Sequence, residues 1–445
     1  MSIGIAESLV HCGMSPFEAR RKTALFSAAE RALAPSANAK LLRWHIPGRI
    51  EVLGKHTDYA GGRSLLCAAE RGLCVVAMPR SDSLIRITDA VSGQSTSFEF
   101  AVNLMIPSEG WTVFPKTVAR RMALNFKGKL SGAEIGFASD LPRAAGMSSS
   151  SALVVAVFTV LGAVNHVSQH QQYLANIQSK EDLAAYLGCI ENGQSFGSLA
   201  GDSGVGTFGG SEDHTAIFCA RPGRLVLYGF VPVKFERDVE LPADCTFVIG
   251  VSGVRADKTG ATREQYNRAS RSIQAILSAW RSNTGVDSKT LGAATTSSAD
   301  APQRIRSILR DSQAGDFDST CLLHRFEQFY LESETIIPKA VDALRVADLV
   351  AFGKLVEKSQ LAAQELLGNQ VPETIALAGM ARSLGAHAAS AFGAGFGGSV
   401  WALASRPDAD AFSKAWKAGY EARFPQAAKD SQFFSTAAGP PVTRL

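Results

Sequence analysis

The chain has 445 residues, a formal net charge of +4, 46% hydrophobic residues and 19% charged ones. That length suits two domains with sizeable cores, and so small and scattered a charge excludes the concentrated basic face that nucleic-acid binding requires. Seven cysteines without a C-x-x-C pair indicate reduced thiols and a cytoplasmic setting. The N-terminus carries Glu7 and no basic region, so it does not read as a signal peptide, and the longest apolar stretch, 152–164, is too short to cross a bilayer.

In chain order, residues 16–33 have helical spacing, with Ser15 as a possible cap and Pro16 just inside the first turn. Residues 41–46, 63–78 and 84–88 read as strands between Gly, Pro and Ser-Asp turns. A helix is predicted over 111–124, and a strand over 133–138 leads into a serine cluster and a buried helix ending at Val164. Another helix covers 181–191. The Gly- and Ser-rich stretch 192–210 reads as a loop insertion. Strands follow at 225–233 and 246–251, with a domain change-over expected between 233 and 244. A long polar-faced helix spans 262–281. Residues 282–302, rich in Ser, Thr and Ala without hydrophobic rhythm, read as a surface excursion. Helices are predicted around 321–331, 335–344 and 348–367, and a strand at 400–403. There is no internal repeat.

Three segments carry chemistry. Pro142 to Ala152 is a small-residue loop running through Gly146, Met147, Ser148, Ser149, Ser150 and Ser151 into an apolar helix. Such a loop lets the backbone close around an anion, while the first helical N–H groups and the helix dipole point at it. A capped helix with a Ser-rich start is the simpler reading of that segment alone. Upstream, Pro47 to Gly62 sets Arg49, Glu51, Lys55, His56 and Asp58 among four glycines, a combination typical of sites. Far downstream, Ala391 to Val400 has four glycines in six residues before an apolar strand, the pattern of a wall closing over a ligand.

Together and in this order, these segments resemble the galactokinase branch of the GHMP small-molecule kinases. The first is similar to that family's P-G-R-x-N-x-x-G-E-H-x-D-Y-x-x-G signature, the second to P-x-G-x-G-L-S-S-S-A, the third to G-G-G-F-G-G. Weaker likenesses lie at 77–82 and at 250–267, which holds Ser252, Val254, Arg255, Tyr266 and Asn267. The resemblance implies an α+β GHMP fold: an N-terminal domain like ribosomal protein S5 domain 2 over 1–238 and a ferredoxin-like C-terminal domain over 239–445, with ligands in the cleft between. It implies phosphoryl transfer from ATP with Mg²⁺ to the anomeric hydroxyl of a small-molecule sugar, by an enzyme with neither nucleic acid nor membrane as partner and with a monomer as the favoured state. The cradle would be Gly146 to Ser151. The Mg²⁺ ligands would be Ser150 (with Ser149 or Ser151 as alternatives) and Glu191. Asp213 would be the base and Arg49 the cation beside it, though Glu212 is an awkward neighbour. A guanidinium within reach would hold the carboxylate ionised and stabilise charge developing on the acceptor. The adenine pocket would lie near 77–82 and Trp111.

The sugar would meet Lys55, His56, Asp58 and Tyr266. Here the sequence departs from the family: Lys55 replaces a glutamate, Glu51 an asparagine and His214 a glutamine. A cation at 55 would suit the carboxylate of galacturonate through a charge-assisted bond. Pairing of Lys55 with Glu51 at i,i+4 would leave it less to offer a substrate. Galactose or a close relative and a hexuronate are therefore both open. Two other readings remain. One is a sugar and ATP sensor without turnover, against which Arg49, Ser150, Glu191 and Asp213 argue. The other is a mevalonate-, homoserine- or heptose-type kinase of the same superfamily; the His56-Thr57-Asp58-Tyr59 run argues for hexoses over the first two.

Overall fold

The computed structural model describes residues 4–36, 38–256 and 262–445. Two mixed layers of helix and sheet meet at one cleft. The first sheet is built on the long, almost wholly buried strands Leu42–Leu53 and Arg63–Pro79, paired antiparallel from Leu42↔Ala77 to Leu53↔Leu65. Their runs of Ile, Leu, Val and Cys are buried on both faces, as strands covered on two sides must be. Ala133–Ser139 adds antiparallel to Arg63–Pro79 and takes Leu84–Asp89 in parallel, which pairs in turn with Ser95–Glu99. Arg224–Gly229 and Lys234–Glu240 form a further antiparallel pair on Arg63–Pro79. Ser149–Val164, apolar on every side, packs across Leu42–Leu53 and Arg63–Pro79 as the central buried helix.

The second sheet is antiparallel, in the order Gln432–Thr436, Cys245–Val251, Ser399–Ser405, Ala388–Phe392. Helices Pro372–Ser383 and Ala409–Arg423 cover one face through Leu377, Trp416 and Tyr420. The other face, with Phe247, Ile249 and Trp401, joins the core of the first sheet. A third, helical cluster forms around Trp280, Ile305, Phe326 and Phe329.

Three expectations change. The boundary at 238 falls inside the strand Lys234–Glu240, and the chain returns at its end: Ala438–Gly439 pairs with Arg63–Pro79, and Thr443–Arg444 with Leu42–Leu53. The last residues thus complete the first sheet rather than belonging wholly to a domain over 239–445. Residues 282–302 are not a surface excursion. Leu291, Ala294 and Ala301 are buried in the helical cluster, Thr290 caps a short helix Leu291–Thr295, and Ala301–Arg310 is a further helix. Small residues were the requirement here, because Gly292 packs on the backbone of Gly61. Finally, Ser319–Tyr330 does not end near 331. It runs through a π-helical turn, Leu331–Ile336, straight into Ile337–Arg345.

Candidate active site

Asp213 lies in the first turn of a short helix, Glu212–Cys219. The positive end of the helix favours ionised carboxylates there, and Asp58 reaches in from another segment to accept the Glu212 N–H at 3.1 Å. Arg49 sits on Leu42–Leu53 opposite this turn. Its Nε is 2.7 Å from Asp213 Oδ1 and 3.5 Å from Glu212 Oε1, while Nη1 donates to the Gly146 carbonyl at 2.5 Å. Burial disfavours the Arg49 charge, but the surrounding carboxylates of Asp213, Glu212 and Glu51 outweigh it and hold the guanidinium protonated. The same guanidinium therefore ties the early glycine turn to the serine loop and to the mid-chain carboxylate.

Two cavities flank this pair, and Arg49, Asp213 and Ala394 line both. The larger, about 340 Å³, has an apolar end of Trp111, Phe114, Phe137 and Leu153 and a polar end of Arg143, Gly146, Ser148, Ser149 and Ser150. Ser148 is nearly buried, and its Oγ has no hydrogen-bond partner among the described residues, at the start of the Ser149–Val164 helix. Trp111 lines this cavity, but residues 77–82 do not. Ala77 is wholly buried in the sheet, and Arg80 is bound to Asp82 and Glu134 instead. The smaller cavity is polar, lined by His56, Asp58, Glu191, Glu212, Asp213, His214 and Tyr266 among others.

The individual expectations fall out as follows. His56, Asp58 and Tyr266 meet at the polar cavity, with the His56 and Tyr266 rings 5.1 Å apart. Lys55 does not join them. Its ammonium is buried and donates to Ser359 Oγ at 3.0 Å, on a helix 304 residues away in sequence. Nor do Glu51 and Lys55 share a helix, since Glu51 is in a strand. Ser150 lines the larger cavity and Glu191 the smaller. It is Ser151 that bridges the carboxylates, donating within reach of Glu191 Oε2 at 2.8 Å and Asp213 Oδ2 at 3.1 Å. Met147 is buried in the core and contributes only its backbone carbonyl, which accepts from Arg49 N at 3.4 Å. His214 is buried with Nε2 3.3 Å from Glu191 Oε2. Glu51 and Glu212 lie buried together: burial pushes Glu51 up to about 7, with Glu332 adding repulsion, and burial followed by the charge of Glu51 pushes Glu212 well above the usual carboxylate range. Glu212 is further occupied by Ser64, which donates to Oε2 at 2.8 Å, leaving Asp213 as the carboxylate facing both cavities.

The third glycine segment closes the site from above. An added Cβ at Gly393 would meet the Gly146 carbonyl oxygen at 2.8 Å, and one at Gly397 the Val254 oxygen at 2.7 Å. Both glycines have positive φ, so only glycine permits this backbone-on-backbone contact. Four non-glycine residues in the left-handed region also cluster here: His56, Ala144, Ser148 and Phe396. Such conformations persist where surrounding contacts over-determine them, and they collect at binding sites. The residues 250–267 are described apart from 257–261. Sequence reading missed Phe114 and Phe137, which carry no local motif and become a cavity wall only when helix, strand and loop pack together.

Residues 37–79 match the galactokinase galactose-binding signature, 114–202 the GHMP kinases N-terminal domain, and 340–422 the GHMP kinases C-terminal domain. A galactokinase of Roseiflexus sp. is 28% identical over 375 residues, 82% of this chain and 84% of its own. One from Lactiplantibacillus plantarum is 26% identical over 380 residues, 83% and 87% of the two chains. The fold superposes on the crystal structure of Lactococcus lactis galactokinase complexed with galactose with a TM-score of 0.76 at 22% identity, covering 96% of this chain and all of that one. Mevalonate kinase of Methanococcus jannaschii shares the fold more distantly, with a TM-score of 0.52 at 14% identity over 91% and 99% of the two chains. The fold is that of the GHMP small-molecule kinases, and the chain is a phosphotransferase of that class. Within it, the galactose-binding signature and the curated relatives put the chain in the galactokinase-like branch.

Proposed function

We propose that this enzyme transfers the γ-phosphoryl group of ATP to the anomeric hydroxyl of galactose or a close galactose-like sugar. The observation that carries the reading is the Arg49–Asp213 ion pair, at 2.7 Å, standing as the shared wall of an amphiphilic cavity and a polar one. Phosphoryl transfer needs a cradle, charge compensation and a positioned acceptor, and little else from the protein. The larger cavity meets the first need: aromatic side chains for a base at one end, and serine hydroxyls with a helix N-terminus for phosphates at the other. Asp213 would take the proton of the attacking hydroxyl, and Arg49 would keep Asp213 ionised and offset charge on the transferring group.

Ser150 in the larger cavity and Glu191 in the smaller offer the oxygen donors that would hold Mg²⁺, with phosphate oxygens and water completing its shell. When bound it would neutralise charge on the phosphates. Ser151 would keep Glu191 and Asp213 in fixed relation through its bifurcated hydroxyl contact. All seven cysteines are free thiols, in keeping with a cytoplasmic enzyme that draws on cellular ATP. No described helix is long and apolar enough to cross a membrane.

The burial of Lys55 against Ser359 removes the physical basis for a hexuronate, because a cation that does not reach the sugar cavity cannot pair with a C6 carboxylate. A coupled ADP assay with Mg-ATP and galactose, galacturonate, glucuronate, arabinose or fucose tests this directly. The expected result is turnover of galactose and its close relatives and none of the uronates. Turnover of galacturonate without galactose would reverse the assignment, and sugar binding without ADP release would mark a sensor.

A further inference from the structure

The helix Ser319–Tyr330 and its π-helical extension carry three buried polar side chains on one face, Arg325, Gln328 and Glu332, and all three bond to the backbone of residues 54–56. Arg325 Nη2 donates to the His56 carbonyl at 2.6 Å, Gln328 Nε2 donates to the Lys55 carbonyl at 3.0 Å, and the Gly54 N–H donates to Glu332 Oε1 at 2.8 Å. Arg325 Nη1 also donates to Gln328 Oε1, locking the two side chains together. None of these three residues lies in a glycine motif, and none lines the polar cavity. We infer that they form a clamp that sets the conformation of the sugar loop from outside the site, with Arg325 as its principal positioning residue. The inference rests on the reading of the polar cavity as the sugar site.

Two features of the loop need such a clamp. His56 has φ of +57°, a conformation that a non-glycine residue keeps only under external constraint. Arg325 supplies that constraint at the carbonyl of the strained residue itself. Its side chain also sets the orientation of the imidazole. His56 Nε2 lies 3.0 Å from the Ala394 carbonyl, which can only accept, so Nε2 carries a proton. In the neutral form of the ring Nδ1 accepts from Tyr59 Oη at 2.7 Å, and the tyrosyl oxygen accepts from Arg325 Nη2 at 3.2 Å. Donation runs one way from guanidinium to phenol to imidazole to the Gly-rich loop. Lys55 belongs to the same device: Lys55 Nζ donates to Ser359 Oγ, and Ser359 Oγ donates to Glu332 Oε1 at 3.0 Å. The lysine that replaces the family's glutamate thus serves the clamp rather than the substrate.

The test compares Arg325→Met, Arg325→Lys and Gln328→Leu with the wild type, reading KM for galactose, KM for ATP, kcat, and galactose affinity by calorimetry without nucleotide. Loss of a charge-assisted bond predicts that Arg325→Met raises the galactose KM and dissociation constant about 10- to 100-fold, with the ATP KM within about twofold. Arg325→Lys, which keeps one donor to the His56 carbonyl, should recover part of that loss, and Gln328→Leu should shift the same constants by a smaller factor. Should Arg325→Met fail to fold, the lysine and leucine variants carry the comparison. Folded variants with unchanged galactose constants, or with galactose and ATP constants rising together, would overturn the clamp. A wild-type protein that bound no galactose would instead overturn the assignment of the cavity, and the clamp's role with it.

Discussion

Replacing Asp213 with asparagine is expected to lower kcat for sugar phosphorylation by about 10²–10⁴-fold, the usual worth of a general base. The change keeps the shape of the side chain and an oxygen for the Ser151 hydroxyl, and Arg49 retains Glu212 at 3.5 Å. The fold should therefore survive, and nucleotide affinity should change little, because the serine loop and the aromatic end of the larger cavity are untouched. The measurement is steady-state ADP release alongside a thermal melt. A folded variant retaining more than about a tenth of wild-type kcat would remove Asp213 from the chemistry.

Arg49→Met should do more damage, and of two kinds. Three carboxyl side chains, Asp213, Glu212 and Glu51, surround the guanidinium; Arg49, Glu51 and Glu212 are buried, and the Asp213 side chain is 13% exposed. Taking away the cation leaves buried negative charge without compensation, which typically costs about 3–5 kcal/mol. It also deletes the bond from Nη1 to the Gly146 carbonyl that ties the serine loop to the first sheet, and the donor that offsets developing charge, worth about 10²–10³ in kcat. Denaturant unfolding and kcat should both fall in the same variant. Arg49→Lys, with the charge but not the fork, should recover stability better than activity, since a single ammonium cannot face Asp213 and the Gly146 carbonyl at once. A variant of unchanged stability would show that the pair is not the buried link described here.

The parts of the site legible in the sequence are those where function demands unusual local composition. Clustered glycines and serines announce loops that approach a ligand, and the order of the three segments carries the family resemblance. What the sequence could not show is direction. Lys55 and His56 are neighbours, yet the left-handed turn at His56 sends one side chain toward Ser359 and the other toward the polar cavity, so adjacency misled. Which way each serine faces was hidden for a similar reason. Consecutive residues at a helix start point about a quarter-turn apart, and only packing decides that Ser151 meets Glu191 while Ser150 lines the larger cavity. Residues 282–302 were misread because Ser, Thr and Ala are common both on surfaces and where backbones must pack closely, as Gly292 does on Gly61. Arg325, Gln328 and Glu332 act through hydrogen bonds spanning more than 260 residues, and nothing local marks them.

Phosphorus NMR of the product formed from galactose and Mg-ATP tests the central claim most directly. If Asp213 and Arg49 activate the anomeric hydroxyl beside the terminal phosphoryl group, a single sugar phosphate will form one for one with ADP, its phosphorus coupled to the anomeric proton. A phosphate on another hydroxyl, or ADP released equally with and without sugar, would contradict the account.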